Sequence, residues 1–409
     1  MPVGTRWHPV RVTVATRVEG SALTGVWATV VGQEPLVETL KPAIDGARRW
    51  LAGQDSSAMT HSWLLTGPPG SGRSVAARAC TAALECGESG CGQCDQCREV
   101  LAGSHPDVTV VDTSGLSIGV EDVRSLVLKA AMSPTRGRWS VVIVEDADRL
   151  TDQAADALLK SLEEPASHTV WMLCAPSTDD VLVTIRSRCR QVSLRTPPAP
   201  AVAALLEGQG VDAGVAAFAA RASQGHIGRA RALARNEDAR ARRRDVMELP
   251  NRLSDPGACL RAAANVHEAA AEDAEALAAP LEERELTGHR DEWGTGTRGI
   301  KVRGEQGALS DLKRMQKARR TRLLRDAVDR SLLDLLSFYR DVLAVQLRSD
   351  GALVNEEHRT AVGELARRTD PALTLRRVDA VLACRTVMDE HNVAPLLALE
   401  QAFLKLRTQ

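Results

Sequence analysis

Residues 61–74 read HSWLLTGPPGSGRS. An apolar run of strand length stops at Gly67, a Gly- and Pro-rich turn follows, and a helical pattern opens at Arg73 and Ser74. Strand, glycine loop and helix N-terminus in that order make a phosphate-binding loop. The glycines let the backbone curl until successive N–H groups and the helix N-terminus face one anion. Gly67, Gly70 and Gly72 would make the turn, and the Ser74 hydroxyl is placed to hold magnesium. At position 73 a compact Lys ammonium is expected, and the chain has Arg. Arg keeps the charge but is a broad planar fork, so the exchange is not conservative at a tight phosphate site.

Outward from this loop, Asp107–Asp112, Ser140–Glu145 and Thr169–Ala175 are further apolar, β-branched runs of strand length. Helical patterns such as Gln153–Leu162 lie between them. Continuous apolar strands separated by helices predict a parallel α/β sheet covered on both faces. The run Val141–Val144 ends in Glu145-Asp146. A nucleotide-hydrolysing site of this kind expects Asp and then Glu, the first serving magnesium and the second polarising water, so the acids are present in reversed order.

Within this domain Cys86-x4-Cys91-x2-Cys94-x2-Cys97 occupies a Gly-rich loop, CGESGCGQCDQC. Four thiolates at that spacing match a tetrahedral structural zinc site with no open coordination position. Cys80, in the preceding helical pattern, is the alternative for one ligand. The nine cysteines are an odd count, five of them between residues 80 and 97, which argues against a secreted disulfide framework and for a reducing cytoplasm.

Thr196–Pro200 (TPPAP) breaks the pattern, and Ala-rich helical sequence follows to about Glu248. From there to the end the chain again reads as helix, except for a polar, Gly-rich stretch at 282–312. The expected organisation is a disordered extension at 1–25 and a P-loop-like α/β domain at 26–197 with an inserted zinc module at 86–97. A small helical domain at 198–248 and an all-α domain at 249–409 follow, the latter with a flexible insertion near 282–312. Of the 409 residues, 52 are basic and 53 acidic, giving a net charge of −1, and aromatic residues make up only 3%. That balance excludes a strongly basic nucleic-acid coat and a base-stacking platform. No apolar run is long enough to cross a bilayer. Arg240–Arg244 (RARRR) is a candidate for backbone contact with DNA or a solvated helix face.

Val31-Gly-Gln33, the glycine loop, the cysteine cluster, Ala157–Pro165 (ALLKSLEEP) and Thr184–Cys189 (TIRSRC) occur in that order. Together they resemble the bacterial clamp-loader subunits of DNA polymerase III, members of the AAA+ superfamily, over about residues 26–245. The resemblance implies an AAA+ domain, a helical lid and an oligomerising collar. It also implies chromosomal replication in a hetero-oligomer with gamma/tau and delta subunits, in which the sliding clamp and primed DNA are met through the complex. In this family the Arg of the Ser187-Arg188-Cys189 motif is an arginine finger, donated in trans to a neighbour's γ-phosphate. Arg73, the inverted Glu145-Asp146 pair, Gly228 at a sensor Arg position and the apolar Ala175-Pro176 point to the delta-prime type, which usually does not hydrolyse ATP. ATP and magnesium are then not expected to be turned over at Gly67, Gly70, Gly72, Arg73, Ser74, Glu145 and Asp146. The chain is expected to have no polymerase activity of its own. The alternatives are an active gamma/tau-type ATPase and a stand-alone zinc and DNA-binding protein.

Overall fold

Five parallel strands take up the apolar runs: Ser62–Thr66 (β1), Val108–Val111 (β2), Ser140–Val144 (β3), Thr169–Ala175 (β4) and Arg190–Ser193 (β5), in the order β2-β3-β4-β1-β5. The structure is a computed structural model, and it describes residues 23–54, 59–111, 117–293 and 305–407. β1, β3 and β4 are buried along their whole length because helices cover both faces. Trp63, Leu65, Val141, Ile143 and Met172 pack on one face against Glu34–Leu51 (α1), Arg73–Glu85 (α2) and Asp95–Ala102 (α3). Leu64, Val142, Val144, Trp171 and Leu173 pack on the other, against Val120–Ala130 (α4), Asp152–Glu163 (α5) and the short Val183–Arg186 (α6). β5 follows α6 and has no apolar run to announce it. It is an edge strand whose only buried residue is Val192, and its backbone pairing to β1 defines it.

The segment leading into β3 is held by two carboxylates. Asp107 accepts the backbone N–H groups of Thr135 (2.7 Å), Arg136 (2.8 Å) and Gly137 (2.6 Å), and Glu85 accepts those of Arg138 (2.6 Å) and Trp139 (3.1 Å). Burial works against ionising Asp107, yet its three N–H donors bring its carboxyl down to about 2. Glu85 is more deeply enclosed, and burial pushes its carboxyl up to about 7 despite two N–H donors.

Beyond the sheet, Ala199–Gly208 (α7), Ala213–Ala222 (α8) and Ile227–Arg235 (α9) form a small Ala-based core. Glu237–Arg252 (α10) crosses the expected boundary at 248. Its Val246, Met247 and Leu249 enter the C-terminal core instead, so the small domain ends near 236. That C-terminal core is completed by Pro256–Trp293 (α11), Glu305–Gln346 (α12), Arg359–Arg368 (α13), Pro371–Asp389 (α14) and Pro395–Leu406 (α15).

The flexible insertion expected at 282–312 is corrected. Residues 282–293 continue α11 and 305–312 begin α12, while 294–304 lie outside the described residues. Towards its distal end this hairpin is also bridged by charge: Arg319 pairs with Glu285 (2.6 Å), and Arg320 with Glu275 (2.7 Å) and with Glu282. Buried Ala270, Ala274 and Ala278 at four-residue spacing let the two helices approach. Of the expected N-terminal extension, residues 1–22 lie outside the described residues, whereas Gly25–Thr29 form a 3₁₀ turn with Val26 and Trp27 buried.

One buried ionic network joins the small helical domain to α12. Asp334 meets Arg229 of α9 and Arg243 of α10 (3.1 Å), and Arg243 also reaches Glu357 (2.8 Å) and Asn355. Replacing Asp334 by Ala leaves the buried Arg229 guanidinium without its carboxylate and Arg243 with Glu357 alone, and we expect a loss of about 3–5 kcal/mol in urea unfolding. A loss under about 1 kcal/mol would show that the network is solvated. The raised Glu85 carboxyl sets a pH signature. Between the ordinary carboxylate value of 4.5 and about 7, the folded state holds a proton that the unfolded chain has released, so stability falls as pH rises through that window. Urea unfolding at the two ends of the window should show a smaller decline for Glu85→Gln than for the parent chain, and equal declines would refute this assignment.

Candidate functional site

The loop after β1 makes the glycine turn expected from the sequence, and residues of its own chain bond to it. Gly70 (φ 78°) and Gly72 (φ 96°) take left-handed conformations, and Gly72 caps α2. A Cβ at Gly70 would lie 2.1 Å from the His226 ring, and the Ile227 N–H donates to the Gly70 carbonyl (3.1 Å), so the start of α9 rests on the loop. Burial, with Arg229 and other nearby arginines, lowers the His226 pKa and keeps the ring neutral. Arg73 Nη1 donates to the Gly67 carbonyl at 2.6 Å, so the guanidinium turns back onto the loop. Ser74 stands half-buried in the first turn of α2. Gln33, almost fully buried, bonds both backbone groups of Arg195 (2.6 and 3.0 Å) and the Ser71 carbonyl (3.4 Å), tying the loop to the end of the sheet domain.

The acid pair sits at the end of β3, and each carboxylate has a guanidinium partner. Glu145 binds Arg78 of α2 at 2.7 Å, and Asp146 binds Arg322 of α12 at 2.8 Å. These partners, like the His226 contact, are long-range and left no local signal in the sequence.

Arg188 is not brought to this loop. Its neighbour Arg190 is in register with Trp63, four residues before Gly67 on β1, which is about 13 Å along a strand. The Arg188 guanidinium is about one-third exposed, held by Glu163 at the end of α5 (2.5 Å), by the Thr184 carbonyl (2.8 Å) and by the Ser187 hydroxyl (3.2 Å). Cys189 is buried, and that burial pushes its thiol up to about 12.

The sulfur atoms of Cys86, Cys91, Cys94 and Cys97 all lie within 4.8 Å of one another, and Cys80 is outside the group, buried in α2. Four thiolates about 2.3 Å from a tetrahedral zinc would stand about 3.8 Å apart. The Cys86–Cys91 and Cys86–Cys94 sulfur separations are 3.6 and 3.8 Å, so the donor set fits that ion. Backbone N–H groups of Glu88, Cys91, Cys94 and Cys97 point at the sulfurs (3.3–3.5 Å) and would stabilise them as thiolates. Burial opposes ionisation of Cys86, yet the N–H groups of Cys91, Glu88 and Gly90 bring its thiol down to about 6. The loop also holds the N-terminal turn, since Val26 N–H donates to Gly90 O at 3.0 Å.

Arg240–Arg244 does not present a free basic face. Arg243 is in the buried network, Arg242 pairs with Asp273 (2.7 Å), and Arg240 and Arg244 pair with Glu237.

Residues 47–198, which span β1 to β5 with the loop, the acid pair and the cysteine cluster, match the family model described as DNA polymerase III, delta subunit. Over this stretch the chain is similar to DNA polymerase III subunits of the delta' and gamma/tau types. A DNA polymerase III subunit delta' of Yersinia pestis is 41% identical over 155 residues, covering 36% of this chain and 46% of that protein. A DNA polymerase III subunit gamma/tau of Mycobacterium tuberculosis is 32% identical over 210 residues, covering 49% of this chain and 35% of that protein. The chain therefore spans less than half the length of either clamp-loader relative. Among solved structures, a gamma subunit-related protein from Thermotoga maritima aligns with 19% identity and a TM-score of 0.32, over 71% of this chain and 99% of that one.

The cysteine cluster gives a direct test. Elemental analysis should find about one zinc per chain, lost in the double variant Cys94→Ser, Cys97→Ser together with a lower melting temperature. A metal-free chain with the parent's melting temperature would refute the site.

Proposed function

We propose that the chain is a delta-prime, stator-type clamp-loader subunit. It turns over no ATP of its own and completes a neighbour's nucleotide site with Arg188. The observation that carries this reading is the contrast between the two ends of the sheet. At the carboxyl end Glu145 and Asp146 are both held by arginines, and Arg73 bonds its own loop. At the other end Arg188 is half-buried, paired with Glu163 through Nε and Nη2 and oriented at Nη1 by Thr184 and Ser187.

Hydrolysis needs a carboxylate for magnesium and another to polarise water. Both functions are hard to serve from carboxylates already paired with guanidinium groups, and the Arg73 fork replaces the ammonium that reaches the β/γ-phosphates. An arginine finger needs nothing from its own loop. It needs a positioned guanidinium at a surface where a transferring phosphoryl group can be presented, and it is worth about 10³–10⁵ in rate. Thr184 O and Ser187 Oγ orient Nη1 of Arg188, while Glu163 holds Nε until a phosphate from a neighbour competes for it. In this role the cysteine cluster binds zinc as a structural ion.

The partners in this reading are gamma/tau and delta subunits, with the sliding clamp and primed DNA met through the assembled complex in the bacterial cytoplasm. Among the described residues no helix is long and apolar enough to cross a membrane. α7–α9 would act as the lid and α10–α15 as the collar. Leu375 and Leu382 on α14, and Leu397 and Leu404 on α15, are each more than 40% exposed at seven-residue spacing, which suits helix packing in such an assembly.

A gamma/tau-type ATPase is the second reading, favoured by the longer stretch over which the chain aligns with gamma/tau relatives. One experiment separates the two. In a reconstituted loader, Arg188→Ala should lower DNA-stimulated ATP turnover at least tenfold at the affected site while the complex still assembles, and the isolated chain should not hydrolyse ATP. Unchanged turnover would remove the finger assignment, and steady hydrolysis by the isolated chain would favour the second reading.

A further inference from the structure

The end of α1, the segment before β3 and His168 just before β4 border a surface cleft of about 670 Å³. Arg48, Leu51, Pro134, Gly137, Arg138 and His168 are among its lining residues, and none of the lining residues is acidic. The cleft lies at the amino ends of β3 and β4, whereas the Gly67 loop follows the carboxyl end of β1.

Arg48 is held through uncharged groups, and Arg138 is placed by its backbone. Arg48 donates Nη2 to the Gly87 carbonyl (2.6 Å) and Nη1 to the Ser89 hydroxyl (2.7 Å), both uncharged acceptors on the cysteine loop. Arg138 ends the segment whose backbone is pinned by five N–H bonds to Asp107 and Glu85. His168 Nδ1 lies 3.1 Å from the Arg138 carbonyl, which can only accept, so Nδ1 carries a proton and Nε2 is the ring's remaining polar atom. The His168 ring stands 5.4 Å from Trp50 and 5.9 Å from Trp139, and those indoles lie 5.4 Å from each other. Aromatic packing of this kind fixes the orientation of the ring.

Arg78, Arg243 and Arg322, by contrast, are each matched to a carboxylate. Here two guanidinium groups and an imidazole border one cleft with no carboxylate in its lining, on backbone that is held in place before any ligand arrives. Planar forks of this kind bind phosphate oxygens in pairs.

We propose that this cleft is a second anion site, separate from the Gly67 loop, that takes a phosphate group, either free as pyrophosphate or as the terminal phosphate of a nucleic-acid strand. The test is calorimetric titration of the full chain with sodium pyrophosphate at physiological salt, with tryptophan emission followed in parallel because Trp50 and Trp139 adjoin the cleft. Saturable binding is expected, weakened about tenfold or more by Arg138→Ala and abolished by adding Arg48→Ala, with Arg138→Lys retaining part of it. Circular dichroism melting of each variant separates loss of the site from loss of the fold. A short oligonucleotide with and without a 5′-phosphate distinguishes the sources: preference for the phosphorylated form assigns the site to strand ends, and equal weak binding of both assigns it to free pyrophosphate. Absence of saturable pyrophosphate binding, or binding unchanged in the folded Arg48→Ala, Arg138→Ala variant, would overturn the proposal.

Discussion

A single buried carboxylate, Asp334, carries much of the relation between the parts of this chain. It is held between Arg229 and Arg243, so α9 and α10 are both fastened to α12 in a low-dielectric setting where neither arginine can be left alone. Arg229 lies in the first turn of α9, just after His226 and Ile227, which sit on Gly70. The position of the C-terminal helices is thereby passed to the glycine loop through one short helix. Twelve residues before Asp334, about 18 Å along the same helix, Arg322 reaches Asp146 at the end of β3. α12 thus contacts the small helical domain at one point and the sheet domain at another, and a rotation of either against it must break an ion pair.

The sequence made the sheet legible where burial is complete. β1, β3 and β4 are runs that tolerate only apolar side chains, and their limits could be read to within about a residue. The cysteine cluster was legible for a related reason, since metal ligands must converge and short glycine-containing spacings allow few other outcomes. β5 was not, because an edge strand held by backbone bonds needs no apolar pattern. The α11–α12 hairpin was missed for the opposite reason. A Gly-rich polar stretch looked aperiodic, while the helices on each side of it are held by alanines and by Glu–Arg pairs more than thirty residues apart. The identities of Glu145 and Asp146 were visible, but their partners Arg78 and Arg322 were not: which of many arginines meets which carboxylate is a tertiary fact with no local trace.

Those partners change what the degenerate loop means. From the sequence, Arg73 and the reversed acid pair looked like two independent losses. In the folded chain each of these groups already has a partner within the chain. Arg78 and Arg322 neutralise the two carboxylates and Arg73 satisfies a loop carbonyl, so the site is internally bonded. A triphosphate would be attracted to three nearby guanidinium groups, yet a magnesium ion would first have to displace one of them from a carboxylate. Binding and hydrolysis therefore become separable properties at this loop: added positive charge favours the anion, and the same charge opposes the metal that hydrolysis requires. Under the proposed stator role that separation carries no penalty, because the arginine offered to a neighbour lies at the other end of the sheet and takes its orientation from Glu163, Thr184 and Ser187 alone.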